Sequence, residues 1–230
     1  MKFILSAIIV LYCSGCSVVA RKGYGAKKVK IENEQTIQNW LSEKGFSTRN
    51  VVTVTPESYY DNYFGLPQAP LLFDKASGNF LAIGFTNGEY CPKDVDKSFS
   101  SIPHYSLMKV KPDSFLISET TSIPPGFSIK DKDKFEKKID TLPIKLTQIT
   151  SYFRTLRGEP STEFLQKNSD YLLIIPFAIF LGKKLQVKDL KKYYYSALTN
   201  RSAMIQIVFL NLDKQEWWGE EWNKKINITY

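Results

Sequence analysis

Apolar positions along this chain keep two different periods, and each period predicts an element. Ile37, Trp40 and Leu41 fall at i, i+3 and i+4, so residues 31–46 read as a helix with Gly45 as its stop. Residues 51–55 form a β-branched run that reads as a strand ended by Pro56. Residues 58–64 are aromatic and fit either element. Leu71-Leu72-Phe73, after Pro70, reads as a short strand; residues 75–79, with Gly78, read as a hairpin turn and residues 80–85 as the returning strand. A short helix is expected over residues 93–102.

The period is lost over residues 103–140, where Pro103, Pro112, Pro124, Pro125 and Gly126 interrupt the chain and residues 130–138 are a dense mixed-charge run. This segment is expected to be an irregular connector with one strand near residues 114–118. Beyond it, Leu146, Ile149 and Phe153 share one face of a helix predicted over residues 144–156. Residues 171–181 are the most apolar stretch after the N-terminal leader. Their length and Pro176 argue against a membrane span, and a strand buried on both faces fits them better. Residues 187–198 read as a helix with Leu190, Tyr194 and Leu198 in register, and residues 204–212 as a second apolar strand. Strand, helix and strand in about forty residues make a βαβ unit, which requires a partly parallel sheet. The expected fold class is α/β: a mixed sheet flanked by helices, with the irregular connector at about 103–140. A single domain is expected over residues 31–230, made of a helix-strand-hairpin half (31–102), a connector (103–143) and a helix-βαβ half (144–230).

The first fifteen residues differ in kind. Lys2 gives a positive start, residues 3–12 are apolar apart from Ser6, and Ser14-Gly15 supply the small side chains that signal peptidases require. Residues 1–15 therefore read as a signal peptide. The small pair abuts Cys16, and this position resembles the lipobox of bacterial lipoproteins, although Cys13 stands where Leu is usual. The resemblance implies a diacylated, palmitate-bearing Cys16; a plain cleaved signal with an incidental Cys is the alternative. Residues 16–30, with Arg21, Lys22, Lys27, Lys28 and Lys30, read as a basic tether. Ser17 follows Cys16 where Asp would mark inner-membrane retention, which favours the outer membrane by resemblance to enterobacterial sorting.

Removing the signal leaves Cys16 and Cys91, so with Cys16 acylated no internal disulfide can form. A C-x-x-C pair at Cys13 and Cys16 carries no redox chemistry, because Cys13 leaves with the signal. His104 is the only histidine, and no zinc spacing remains. No metal and no cofactor is expected. The formal charge is +8, but Lys and Arg are dispersed and no nucleic-acid motif occurs, so a nucleic-acid partner is not expected.

Residues 177–184, Phe-Ala-Ile-Phe-Leu-Gly-Lys-Lys, resemble the thioredoxin pattern W-A-x-W-C-G-x-C, preceded by a buried strand and followed by a helix. Leu210-Asn211-Leu212-Asp213 resembles the strand end that follows the active-site helix in that family, and Ala69-Pro70-Leu71-Leu72-Phe73-Asp74 with Gly78 resembles its cis-proline hairpin. The hairpin here precedes the motif, whereas in thioredoxins it follows, so the resemblance implies a permuted thioredoxin-like sheet or two partial units sharing one sheet. In layout the chain is similar to some uncharacterised lipoproteins of Bacteroidetes-type bacteria. Pro70 would be the cis-proline candidate. Both motif cysteines are replaced, by Leu181 and Lys184 around Gly182, which implies a site without dithiol exchange.

Three functions remain open on the sequence. One is a non-catalytic envelope protein, held at a membrane by its lipid, that binds another envelope protein. A second is a single-cysteine thiol enzyme using Cys91, which sits in Glu89-Tyr90-Cys91-Pro92-Lys93 with Lys93 close enough to favour thiolate; a structural cysteine is the plainer reading. The third is a module for glycans or anionic polymers using Trp217, Trp218 and Trp222, which would otherwise pack on the domain.

Overall fold

The structure is a computed structural model that describes residues 27–61, 70–81, 83, 85–86, 89–90, 95, 99, 146–166, 168–182 and 184–226. The leader, Cys16, Cys91, His104, the connector at 103–140 and the strand expected near 114–118 lie outside these residues. Of the helix expected over 93–102, only Val95 and Phe99 are described, and both are buried.

Strand β1 (Ile31–Glu32) leads into helix α1 (Glu34–Glu43). The helix starts where it does because Asn33 and Thr36 cap each other: the Thr36 N–H donates to Asn33 Oδ1 at 3.1 Å and the Asn33 N–H to Thr36 Oγ1 at 3.0 Å. It stops at Gly45, whose φ of +80° suits glycine best. Strand β2 (Val51–Val54) follows, and Pro56 both closes it and opens the short helix α2 (Pro56–Asp61), which takes in residues 58–61 of the ambiguous aromatic stretch; residues 62–64 lie outside the described residues. Strands β3 (Leu71–Asp74) and β4 (Phe80–Leu81) form the expected hairpin, with the Asp74 carboxylate accepting from the Ala76 N–H at 2.9 Å.

The returning strand is shorter than the sequence suggests. At Ile83 the chain turns, the Ile83 N–H donating to the Leu81 carbonyl at 2.9 Å, and residues 85–86 leave the sheet. They form β5 (Phe85–Thr86), which among the described residues pairs with β6 (Glu89–Tyr90). The helix expected over 144–156 is likewise corrected. Helix α3 covers only Leu146–Thr150, the Tyr152 N–H closes a turn on the Ile149 carbonyl, and Phe153 lies on strand β7 (Phe153–Arg154), paired antiparallel with Val54 and Thr53 of β2. Leu146, Ile149 and Phe153 still bury together, so their spacing reported a shared core and not one element.

The second half follows its pattern closely: strand β8 (Tyr171–Phe177), helix α4 (Lys184–Leu198) and strand β9 (Ile205–Asn211). Two elements with no sequence signal complete it, β10 (Lys214–Gln215), which pairs in parallel with β1, and helix α5 (Gly219–Lys225).

The result is a mixed sheet in the order β4-β3-β8-β9-β2, extended at the β2 edge by the two-residue β7. β8 and β9 run parallel in register from Tyr171↔Ile205 to Phe177↔Asn211, as a βαβ connection through α4 requires of its two strands. β3 lies antiparallel to β8, and β2 parallel to β9. The two sequence halves therefore interleave: the first contributes strands on either side of the β8–β9 pair, and the second contributes that pair and β7 at the β2 edge. Leu172 to Phe177 are all buried, because side chains on both faces of β8 meet core. On one face Trp40 of α1, Leu190 and Tyr193 of α4, Phe177 and Phe209 pack together; on the other, Phe73, Phe153, Val208, Leu210 and Trp218 do.

The C-terminal Trp segment closes on Gly158. This glycine has φ +94°, and a β-carbon there would lie 2.8 Å from the Trp217 ring. Gly158→Ala therefore combines left-handed backbone strain with overpacking, and thermal unfolding should show a loss on the order of 2 kcal/mol.

Candidate functional site

Phe177 ends β8, and the segment that follows forms the turn into α4: Ala178, a single 3₁₀ turn at Ile179–Leu181, and Gly182 with φ +84°. Such a turn leaves several backbone donors outside any ladder, and each must find a partner. Here side chains from elsewhere in the chain supply them. Asp213, just past β9, accepts from the Ile179 N–H at 2.7 Å and from the Phe180 N–H at 3.3 Å. Gln186, in the first turn of α4, grips Ala178 twice: its Oε1 accepts the Ala178 N–H at 2.9 Å and its Nε2 donates to the Ala178 carbonyl at 2.8 Å. The Leu181 and Gly182 N–H groups close on the carbonyls of Ala178 and Ile179. The five amides from Ala178 to Gly182 are thus all engaged internally, and the Phe180 carbonyl accepts from the Lys27 N–H at 2.7 Å.

Asp213 is fully buried beneath the turn. Burial pushes its carboxyl up to about 7, against the opposing pull of hydrogen bonds from the Ile179 N–H, Asn211 Nδ2 and the Phe180 N–H; the nearby Glu32 carboxylate pushes it further up. A ring of amides holds it. Asn211 Nδ2 donates to Asp213 Oδ2 at 2.7 Å, Gln215 Nε2 donates to Asn211 Oδ1 at 2.7 Å, and Asn223 Nδ2 of α5 donates to the Gln215 carbonyl at 2.9 Å. Lys214 Nζ also donates to the Asn223 carbonyl.

Of the residues singled out from the sequence, Leu181, Gly182, Lys184 and Pro70 lie toward one end of the sheet. Leu181 and Gly182 occupy the turn and Lys184 opens α4. Pro70 is buried immediately before β3, and the antiparallel register Leu71↔Ile174 sets it toward the end of β8 from which the turn emerges. Leu181 is half-buried against the core and has no lone pair or exchangeable proton to offer a substrate. Beside the turn, Ile179 and Trp40 floor a shallow groove of about 280 Å³ rimmed by Glu32, Thr36, Asn39 and Glu43. Reasoning from sequence missed Asp213 and Gln186 as the groups that fix the turn. A signal existed for the first, an acidic residue closing the apolar run of β9.

The C-terminal tryptophans face inward in part. Trp218 is buried and its indole N–H donates to the Val54 carbonyl at 3.1 Å, Trp217 is half-buried over Gly158, and the Lys225 ammonium sits 4.2 Å from the Trp222 ring centre. Among the described residues no group of His, Cys, Asp or Glu is placed to hold a metal ion, and no helix is long and apolar enough to cross a membrane. Comparison with family models, with curated proteins and with solved structures found no match to this chain.

Proposed function

We propose that this chain is a non-catalytic, lipid-anchored protein of the bacterial cell envelope, more at home in the outer than the inner membrane, whose thioredoxin-like domain binds another envelope protein. The observation that carries the reading is the turn at 178–182: Leu181 stands where a nucleophilic sulfur would, and every amide of the turn is engaged within the fold. Thiol exchange needs an attacking and a resolving thiolate, and neither position supplies one. A turn whose amides are all engaged within the fold, with an aliphatic side chain in place of a thiol, suits recognition better than turnover. The thioredoxin-like assignment is supported by strand placement: the motif lies between the parallel pair β8 and β9, and the β3–β4 hairpin adjoins β8 although it comes earlier in the chain. The anchor is supported by the lipobox-like segment ending at Cys16.

Two measurements test this. Purified chain should give no turnover with a disulfide substrate and reductant, or with a peroxide; robust turnover by either assay overturns the non-catalytic reading. Mass spectrometry of the N-terminus of protein recovered from bacterial membranes should find Cys16 first and acylated, and a retained Met1 or a bare N-terminus removes the anchor.

A further inference from the structure

Asp213 is fully buried, and the groups around it are neutral donors and one other carboxylate. The turn offers it the Ile179 and Phe180 N–H groups, and β9 offers Asn211 Nδ2. Gln186 of α4 and Asn223 of α5 are neutral and spend their amides on Ala178 and on the Gln215 carbonyl. Lys214, next in the chain, turns its ammonium to the Asn223 carbonyl. From β1 comes Glu32, whose charge opposes ionisation of Asp213. Lys27, Lys28 and Lys30, on the segment leading into β1, are exposed.

That segment lies against both structures that flank Asp213. Ile31 and Glu32 pair with Lys214 and Gln215, a register that carried one residue back sets Lys30 beside Asp213. The Lys27 N–H donates to the carbonyl of Phe180, whose own N–H Asp213 holds. The fastening is light. β1 is two residues long and belongs to a two-stranded sheet apart from the main one. Ile31 is 54 % exposed, and Val29 is only half-buried, against the cluster that contains Phe180 and Leu212. The segment ends at Asn33, the N-cap of α1, so it can swing away without unwinding a helix. A strand so short and so thinly covered opens at far smaller cost than the main sheet. Opening would bring water to the Asp213 carboxylate and carry the Glu32 charge away from it.

We propose that ionisation of Asp213 releases residues 27–32, which are docked on the turn and on β10 in acid solution and lifted from both in alkaline solution. Release bares the Phe180 carbonyl at the turn. The device depends on neither the lipid nor the partner proposed above. Because the carboxyl is pushed up to about 7 when enclosed and returns toward about 4 when wet, opening grows as pH rises between these values and then levels.

Amide hydrogen exchange of the purified full chain, read residue by residue by NMR and corrected for the intrinsic pH dependence of exchange, measures the release. Protection of the Lys27 and β1 amides should fall by at least about tenfold from near pH 5 to near pH 8, since loss of one proton can shift the opening by up to about tenfold per pH unit. Near pH 8 it should lie at least about tenfold below the protection of the β8 amides. Asp213→Asn should hold it within about twofold across the range. Glu32→Gln, a change at a half-buried edge position, keeps the buried carboxyl but removes the opposing charge, and should raise protection near pH 8 by about threefold; it carries the test if Asp213→Asn does not fold. Protection that stays level in the unaltered chain, an equal fall in Asp213→Asn, no change in Glu32→Gln, or segment amides as protected as those of β8 near pH 8 overturns the proposal.

Discussion

Phe177→Ala should lower the unfolding free energy by about 3–5 kcal/mol, the cost of emptying a fully buried aromatic site. The position is chosen by its neighbours. Phe177 is fully buried, stacks on Trp40 at 5.4 Å between ring centres with 14° between planes, and meets Phe209 edge-on at 6.0 Å. It thus joins helix α1, the end of β8 and strand β9, elements far apart in sequence, and it sits one residue before the turn held by Asp213 and Gln186. The cavity cannot collapse easily, because the Trp40 and Phe209 rings that line it are pinned by α1 and by the β8–β9 ladder. Equilibrium urea unfolding followed by tryptophan fluorescence checks the value. A loss below about 1 kcal/mol would mean that the three elements do not share this core.

Asp213 makes stability depend on pH. In the fold its carboxyl lies at about 7, and in an unfolded chain at about 4, so between these values the folded state binds more protons. Unfolding free energy therefore falls as pH rises through this window, by at most about 1.4 kcal/mol per pH unit. The contribution is complete below the unfolded value and lost once pH passes the folded one. Above that, the carboxylate is charged, buried, and faced by Glu32. Asp213→Asn should flatten most of this slope. Its Oδ1 can keep the bonds from the Ile179 N–H and Asn211 Nδ2, both made to Oδ2 of the acid, while the longer one from the Phe180 N–H is lost. The variant should be about 1 kcal/mol less stable than the unaltered chain near pH 5, and the order should reverse near pH 8. A small slope of the same sign should persist from Asp189, raised by its own burial against the pull of Lys188 and Lys192. Urea midpoints across that range measure both. A stability curve equally steep in Asp213→Asn would assign the dependence to other groups.

The two predictions divide along the line between what local sequence carries and what it does not. The apolar run of β8, the period of α4 and the run of β9 each specify an element through neighbours in the chain, and all three formed within a few residues of expectation. The same logic failed where two elements buried one face together. Leu146, Ile149 and Phe153 keep helical spacing, yet a turn at 151–152 lets β2 capture Phe153 and Arg154 as a strand. Residues 80–85 read as one strand, but the turn at Ile83 divides them between two sheets. In the first case a partner distant in sequence, β2, overrode the period, and no window along the chain contains it; in the second, β5 left the sheet to pair with β6, its near neighbour in sequence.

The candidate site shows the same division. Leu181 and Gly182 were legible because their segment is contiguous, and the absence of cysteine at 181 and 184 follows from residue identity alone. Asp213 and Gln186 were not legible as the groups that hold the turn, because an acid after a strand and a glutamine in a helix are ordinary until the parallel β8–β9 register and the return of α4 bring them to the same five amides. By itself the sequence determined the βαβ unit, the hairpin and the lack of cysteine at 181 and 184, since periodicity and chemical identity are properties of neighbouring residues. Only the tertiary structure decided that the early hairpin flanks β8, that β2 flanks β9, and that a buried carboxyl lies beneath the motif, since strand pairing and burial depend on which distant segments exclude water together.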